Sequence, residues 1–254
     1  MQLHSQILGE GFPFLILHGF LGMSDNWKTL GRKFSEAGFQ VHLIDQRNHG
    51  HSFHDPNFSY EIMAEDLNAY MQLHGIEKAH LLGHSMGGKT VMQFAVEHPE
   101  KVEKLMVADI APKAYPPHHQ DILKALSSLD FEIITSRGEA DEALAAYIPQ
   151  KGIRQFLLKN LYWKEKGKLG LRMNLPVLIS KYDEIGKALP KDATFEGDTL
   201  FLKGAQSGYI LPEDGLLLSQ HFPNYQLSTI SNAGHWLHAE NPDEFYDKIM
   251  DFLK

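Results

Sequence analysis

Short apolar runs of strand length alternate with amphipathic helical patterns through the first 112 residues of this 254-residue chain. The strand-like runs cover 12–17, 39–44, 78–82 and 104–108, and patterns with apolar residues three or four positions apart separate them. Parallel strands need such crossovers, because a tight turn joins only antiparallel neighbours. The alternation therefore predicts an α/β fold in which helices cover both faces of a mostly parallel sheet.

The alternation stops at Pro112 and resumes near residue 199. Between them, residues 113–192 follow a mostly helical pattern that is rich in aromatic side chains and shows no clear strand. Beyond that segment come strand-like runs at 199–203 and 226–230, a helical pattern at 212–221, and a terminal helix that begins at the N-cap residue Asn241. The sequence thus predicts an α/β core from 1–112 and 193–254, interrupted by a helical cap at 113–192.

Composition removes several classes of protein. Because the chain has no cysteine, it has no disulfide, thiolate metal ligand or cysteine nucleophile. A net charge of −8 disfavours binding to nucleic acid, and no apolar run approaches the ~18–20 residues of a membrane span. The N-terminus lacks the basic start and apolar stretch of a signal peptide. We therefore expect a cytoplasmic protein that binds neither nucleic acid nor membranes, with its oligomeric state left open.

The segment Gly83-His84-Ser85-Met86-Gly87 fits the pattern G-x-S-x-G at the junction of a predicted strand and a predicted helix. In that context the serine lies on a sharp turn that lifts its hydroxyl above the carboxyl end of the sheet. The alternative is a glycine-rich turn with an incidental serine. The strand–turn–helix context favours the first interpretation, so Ser85 is the predicted nucleophile.

A serine hydroxyl needs a general base before it can attack a carbonyl carbon. His235 is one of fifteen histidines, but it alone follows the last strand-like run within a loop of small residues, Ser231-Asn232-Ala233-Gly234. That position is at the carboxyl end of the sheet, where ligands bind in open α/β folds. His235 is therefore the predicted base.

Two carboxylates compete for the role of orienting that base. No acid directly follows the run at 199–203. Asp109 directly follows the run at 104–108 and is the preferred acid, whereas the runner-up, Asp214, has an ordinary reason to occupy a helix start. Asp45 also ends a strand-like run, but it precedes the serine and is better explained as bracing its own turn.

Three motifs resemble those of the α/β-hydrolase family: His18-Gly19-Phe20, Gly83-His84-Ser85-Met86-Gly87-Gly88 and Gly234-His235-Trp236. Within that family, the segments 45–50, 109–112, 155–159 and 234–240 are similar to those of YbfF-type bacterial esterases, relatives of the mammalian abhydrolase domain-containing protein 11. The resemblance implies a mostly parallel eight-stranded sheet flanked by helices, with a helical cap inserted after strand 6. It also implies that the acid is Asp109, after that sixth strand.

The mechanism of this family needs backbone donors for the oxyanion that forms when the serine attacks. We expect these donors to be the N–H groups of Phe20 and of Met86, the residue after the nucleophile. Three aromatic residues, Tyr115, Trp163 and Tyr209, are the candidate substrate contacts.

No metal or other cofactor is expected. Histidines occur close together at 49, 51 and 54 and at 118 and 119, but no carboxylate falls near them at a familiar ligand spacing. Arg47 is better explained as bracing its loop than as a receptor for an anion.

These residues predict a serine hydrolase that cleaves carboxylic esters or acyl thioesters of small to medium acyl groups through an acyl-enzyme intermediate. The alternatives are an acyl-CoA thioesterase, a hydrolase of carbon–carbon bonds that uses a similar triad, and a hydrolase-like receptor that binds its ligand without rapid turnover. Dehalogenases and epoxide hydrolases of this family are disfavoured because they carry an aspartate where this chain has Ser85.

Overall fold

A computed structural model describes residues 1–254 and contains one main β-sheet with helices on both faces. Its strands are β1 (Ser5–Leu8), β2 (Phe12–Leu17), β3 (Phe39–Ile44), β4 (Ala79–His84), β5 (Val102–Ala108), β6 (Leu161–Glu165), β7 (Lys168–Leu171), β8 (Thr199–Gly204) and β9 (Tyr225–Ile230). Its helices are α1 (Lys28–Glu36), α2 (Tyr60–Leu73), α3 (Met86–Glu97), α4 (Gln120–Ser127), α5 (Arg137–Ala145), α6 (Lys151–Leu158), α7 (Leu175–Ser180), α8 (Tyr182–Ile185), α9 (Gly215–His221), α10 (Leu237–Glu240) and α11 (Pro242–Leu253).

The main sheet runs in the order β1-β3-β2-β4-β5-β8-β9, and every pairing in it is parallel except that of β1 with β3. The predicted mostly parallel sheet is confirmed, but it has seven strands rather than eight. It ends at β1 on one edge and at β9 on the other, and the two remaining strands, β6 and β7, pair only with each other. The long insertion consequently follows the fifth strand, β5, rather than a sixth.

Neighbouring residues of each strand pack against different helices, because side chains along a strand point alternately to the two faces. Leu81 packs with buried residues of α2 and α3 on one face, and Leu82 packs with those of α1 and α11 on the other. Both leucines are completely buried. The continuous apolar runs of the sequence thus reflect a parallel sheet that is covered on both sides.

Residues 113–192, which we call the inserted segment, contain α4 to α8 and also the antiparallel hairpin β6–β7. The sequence pattern predicted no strand there, and that expectation is wrong. The reason lies in the exposure of β6, whose last three residues are all exposed, so the alternation of buried and exposed side chains is absent. Gly167 turns the chain between the two strands with a φ of 81°, in the left-handed region.

The inserted segment lies over the loops that follow the parallel strands. Its buried residues Leu126, Leu157 and Leu178 form one apolar cluster with Phe20 and Met86 of the α/β part of the chain. The segment therefore covers the carboxyl end of the sheet. No helix of the structure combines the length and the apolar character that crossing a membrane requires.

Candidate active site

Ser85 lies between the end of β4 and the start of α3, in a strained backbone conformation. Its φ of 54° and ψ of −114° are rare for a residue with a side chain, and such conformations concentrate at functional sites. The turn is held in place because the Ser85 N–H donates to the carbonyl of Ala108, at the end of the adjacent strand, at 3.0 Å. This is the strand–turn–helix junction that the sequence pattern predicts.

Gly87 allows that sharp turn to pack against the sheet. A Cβ atom at this position would clash with the backbone carbonyls of Leu17 and His18, which follow one another at the end of β2. Only glycine has room at such a close approach of helix and strand. The second glycine of the G-x-S-x-G pattern is therefore explained by the packing of α3 on β2.

His235 and Asp109 are joined by a hydrogen bond, with 2.8 Å between His235 Nδ1 and Asp109 Oδ2. Asp109 is completely buried, and its other oxygen accepts the N–H of Gly204 at 3.1 Å. The hydroxyl of Ser207 donates a hydrogen bond to Oδ2, the same oxygen that accepts the hydrogen bond from His235 Nδ1. Three donors thus surround the Asp109 carboxylate, and because a carboxylate oxygen accepts from Nδ1, the imidazole is held with its proton on that nitrogen.

Ser85 and His235 line the same small cavity, although no hydrogen bond joins them in this structure. Such catalytic hydrogen bonds are often long before a substrate binds. Two further contacts hold His235: the Tyr209 ring stacks on its imidazole at 3.9 Å between centroids, and His84 Nε2 lies 2.8 Å from its backbone carbonyl oxygen. The sequence indicated neither contact, since each depends on how distant loops meet.

The other carboxylates have different partners. Asp214, the runner-up, pairs with Lys113 Nζ at 2.6 Å and accepts the Leu211 N–H at 2.8 Å, so it has no contact with His235. Asp45 accepts the backbone N–H groups of Ser24 and His51 at 2.6 and 2.9 Å and braces its own turn.

Arg47 donates two hydrogen bonds to the Asp66 carboxylate, one from Nε at 2.5 Å and one from Nη2 at 2.8 Å. It also donates to the carbonyl of Asn57 at 2.7 Å. Its donors therefore tie the loop to α2, which agrees with a bracing role.

Met86 directly follows Ser85 in the chain, and Phe20 directly follows Gly19, where a Cβ atom would lie 3.3 Å from the Ser85 Cβ. Neither of the N–H groups of Phe20 and Met86 has an acceptor among the hydrogen bonds of the turns and loops, and each residue lines one of the two cavities that reach Ser85. Met86 opens α3, whose first N–H groups point outward without a partner in the helix. The placement leaves both donors available to an oxygen at this position.

Two cavities meet at Ser85. The larger, of about 300 Å³, is also lined by Met86, Tyr115 and Tyr209. The smaller, of about 30 Å³, is lined by His235 and by Trp236, the residue after it.

The three predicted substrate contacts are not placed together. Tyr115 and Tyr209 line the larger cavity, whereas Trp163 lies on the β6–β7 hairpin with 56% of its surface exposed and lines neither cavity. Trp236 does line the smaller cavity; the sequence analysis did not name it as a substrate contact, and its position directly after His235 is the signal that could have identified it.

His119 lines both cavities, and its hydrogen bonds fix its tautomer. The Tyr182 hydroxyl accepts the backbone N–H groups of His118 and His119 at 2.9 and 2.6 Å and lies 3.0 Å from His119 Nδ1. A hydroxyl has two lone pairs and one proton, so Tyr182 donates its proton to Nδ1 and the imidazole keeps its own on Nε2. Burial, with His118 beside it, lowers the pKa of His119 to about 3.

Buried histidines near the site are also neutral. Burial lowers the pKa of His238 to about 3 and holds the pKa of His84 well below its usual range. These imidazoles therefore add no positive charge beside His235.

The histidines that the sequence places close together have partners of their own. His49, for example, accepts the Leu21 N–H at 3.2 Å through one ring nitrogen and lies 2.9 Å from the Arg47 carbonyl through the other. One group of three side chains with metal-binding atoms, Glu65, Glu97 and His98, lies apart from this site.

Lys89 of α3 binds the backbone of the inserted segment near both of its ends. Its side chain is completely buried, and Nζ donates to the carbonyls of Lys113 at 2.5 Å and of Lys187 at 2.8 Å. Burial, reinforced by the Lys113 cation, lowers the pKa of Lys89 to about 7. The helix that follows the predicted nucleophile thus also holds the chain near the points where the inserted segment leaves and rejoins the core.

Comparison with known proteins gives consistent matches along most of the chain. A family model described as alpha/beta hydrolase fold matches residues 13–242. The chain is 36% identical to the sn-1-specific diacylglycerol lipase ABHD11 of Mus musculus over 246 residues, which cover 94% of this chain and 80% of that protein. It is 33% identical to the esterase YbfF of Escherichia coli (strain K12) over 242 residues, which cover 95% of this chain and 92% of that protein.

A solved structure agrees with these matches. The structure of a marine microorganism esterase superposes with a TM-score of 0.96 at 41% sequence identity, covering 99% of each chain. The matches extend from β2 to the start of α11 and include the segments that carry Ser85, Asp109 and His235. The resemblance inferred from the sequence motifs is confirmed: this chain belongs to the α/β-hydrolase family.

Proposed function

We propose that this chain is a serine hydrolase that cleaves carboxylic esters of small molecules. The observation that carries the proposal is that the strained serine turn and His235 line one cavity, while Asp109, buried behind His235, lies 2.8 Å from its Nδ1. The names of the relatives, an esterase and a diacylglycerol lipase, support the same reaction class.

In the first half of the reaction, Ser85 Oγ forms a bond to the ester carbonyl carbon. Because His235 carries its proton on Nδ1, which donates to Asp109, Nε2 is free to accept the proton of the serine hydroxyl. His235 then gives that proton to the alcohol oxygen as its bond to the carbonyl carbon breaks. The products are a free alcohol and an acyl group on Ser85.

The negative charge that forms on the carbonyl oxygen is stabilised by the N–H groups of Phe20 and Met86. Backbone donors need no reorganisation at the moment of reaction, and the loss of one such donor typically costs about 10²–10³ in kcat. In the second half, His235 removes a proton from water as the water oxygen attacks the acyl carbon, and it returns that proton to Ser85 Oγ as the bond between Oγ and the acyl carbon breaks and the carboxylic acid leaves.

The inserted segment acts in this proposal as a cap over the site. It supplies His118, His119 and Tyr182 to the cavity walls, and its buried leucines pack on Phe20 and Met86. A cap of this kind excludes bulk water and shapes the space available to the substrate.

The test is ester turnover followed by titration of the released acid, with ethyl butyrate as substrate. The wild-type protein is expected to turn over many times, whereas Ser85→Ala is expected to lose about 10⁶ in kcat, the scale observed when a triad nucleophile is removed. A single turnover followed by arrest would favour the receptor alternative. Undiminished turnover by folded Ser85→Ala would contradict the proposal.

A further inference from the structure

The two cavities that meet at Ser85 differ in size and in the residues that line them. The larger, of about 300 Å³, contains Ser85 and Met86, but His235 is absent from its walls. The smaller, of about 30 Å³, contains Ser85, Phe20 and His235. The two proposed oxyanion donors thus belong one to each cavity, and the carbonyl group of a substrate belongs at the boundary between them.

The position of His235 indicates which cavity holds the alcohol part of an ester and which holds the acyl part. This residue must give its proton to the alcohol oxygen, so that oxygen has to lie within hydrogen-bond reach of the imidazole. Only the smaller cavity offers such a position. On the basis of the proposed ester hydrolysis, we propose that the smaller cavity holds the alcohol part and the larger cavity the acyl part, so that the preferred substrates are medium-chain acyl esters of small, apolar alcohols.

The walls of the smaller cavity limit the alcohol. The volume of this cavity is about a tenth of that of the larger one, so a small group such as methoxy or ethoxy suits it better than a long chain. The Phe156 ring of α6 lies 6.0 Å from the Trp236 ring, between centroids, and both line this cavity. Apart from Ser85 and the imidazoles of His84, His119 and His235, the side chains that form the walls are apolar, among them Leu21, Ile122, Ile153, Phe156, Leu157 and Trp236.

The larger cavity is suited to a hydrocarbon chain even though four tyrosines line it. All four hydroxyls already bind the protein, so the rings rather than the hydroxyls are available to a ligand. Tyr60 donates to the carbonyl of Ile185, and Tyr115 to that of Tyr209, both at 2.7 Å. The Tyr209 hydroxyl binds His118 Nε2, and the Tyr182 hydroxyl has its full set of partners on His118 and His119.

The charged residues of the larger cavity mark its mouth. Asp183 and Lys187 are exposed, and Lys187 pairs with Glu184 at 2.7 Å. A volume of about 300 Å³ is at the lower end of ligand pockets, which range over roughly 300–1,000 Å³. A medium acyl chain therefore remains among the tyrosine rings, whereas a long chain reaches solvent.

This division of the site distinguishes the chain from a diacylglycerol lipase. When one acyl group is removed from a diacylglycerol, the alcohol that leaves still carries the second acyl chain. Such a leaving group is far larger than the smaller cavity. We therefore expect ethyl octanoate to be hydrolysed with a higher kcat/KM than dioctanoylglycerol.

The experiment measures kcat/KM for two series of esters by titration of the released acid. One series varies the acyl group of ethyl esters from acetate to decanoate, and the other varies the alcohol of butyrate esters from methyl to hexyl. Phe156→Ala enlarges the smaller cavity and Ala114→Trp narrows the larger one, at a wall residue that is exposed. Phe131→Ala is the matched control, because Phe131 lies in the inserted segment and lines neither cavity.

Phe156→Ala is expected to raise kcat/KM for hexyl butyrate, relative to that for ethyl butyrate, by at least about tenfold, which is the lower end of the discrimination that one excluded methylene provides. The kcat/KM values across the acyl series are expected to keep their wild-type ratios. Ala114→Trp is expected to lower kcat/KM for ethyl octanoate relative to that for ethyl acetate and to leave the ratios in the alcohol series unchanged. Phe131→Ala is expected to leave the ratios in both series unchanged. If Phe156→Ala does not fold, the milder Phe156→Leu takes its place. The inference is overturned if the Phe156 variant alters the acyl series, if neither variant alters its own series, or if wild type prefers dioctanoylglycerol. Failure of wild type to hydrolyse any ester would instead contradict the proposed function.

Discussion

Replacing Asp109 by asparagine keeps the shape of the side chain and changes what it offers to its three partners. In the structure one carboxylate oxygen accepts the Gly204 N–H at 3.1 Å, and the other faces both His235 Nδ1, at 2.8 Å, and the Ser207 hydroxyl. An asparagine that keeps its oxygen on Gly204 turns its NH₂ group toward the other two. The serine hydroxyl then rotates and accepts, but the imidazole has to accept at Nδ1 and move its proton to Nε2.

With its proton on Nε2, His235 is unable to accept the proton of Ser85. We therefore expect Asp109→Asn to bind substrate with little change in KM and to lose about 10⁴ in kcat, the scale measured for the wrong tautomer in other triads. At 1.36 kcal/mol for each factor of ten, that loss is about 5 kcal/mol of transition-state stabilisation.

The assay is kcat for ethyl butyrate, with circular dichroism to establish that each variant is folded. Asp214→Asn is the matched control, because it makes the same chemical change in a carboxylate whose partners are Lys113 and the Leu211 N–H. The control is expected to retain most of the wild-type kcat. If Asp214→Asn abolishes turnover and Asp109→Asn does not, the assignment of the acid is wrong.

Three further predictions follow from the packing around the site. Gly87→Ala is expected to lower kcat at least 10²-fold, because its Cβ clashes with the Leu17 carbonyl and displaces the serine turn; wild-type turnover would refute this explanation of the glycine. Trp163→Ala is expected to leave kcat and KM for ethyl butyrate unchanged, since Trp163 lines neither cavity, and a raised KM would place it in contact with substrate. Lys89, with its pKa lowered to about 7, is neutral in the folded protein above that pH, while the unfolded chain stays protonated to about pH 10.4. The unfolded state thus binds more protons between pH 7 and 10. Over this range, urea unfolding is expected to show that the free energy of unfolding of wild type rises, relative to that of Lys89→Met, by up to about 1.4 kcal/mol per pH unit. A difference between the two proteins that does not change with pH would contradict this prediction.

Local patterns in the sequence were sufficient for much of the core. The strand at Phe12–Leu17 was predicted residue for residue because a buried parallel strand is a continuous apolar run. The last helix was equally clear, since the Asn241 side chain accepts the Glu244 N–H at 3.4 Å as its N-cap. Ser85 was identified because strand, turn and helix signals coincide within a few residues.

The rest of the site depends on contacts between distant parts of the chain. Ser207 donates to Asp109 across 98 positions, and the stacking of Tyr209 on His235 requires two loops to meet. The short strand β1 and the exposed hairpin β6–β7 lack a regular alternation, so no local pattern marks them. The smaller cavity likewise forms only when Phe156 of the inserted segment packs beside Trp236.

The central claim is that Ser85 is a nucleophile activated within the folded protein, and covalent labelling tests it most directly. An ethyl fluorophosphonate places a phosphorus atom where the ester carbonyl belongs; attack by Ser85 Oγ forms the oxygen–phosphorus bond and expels fluoride. Mass spectrometry of the intact protein and of its peptides is expected to show one adduct, on Ser85, which is absent in Ser85→Ala and after unfolding in urea. Folded wild-type protein that forms no adduct, or forms it on another residue, would contradict the account.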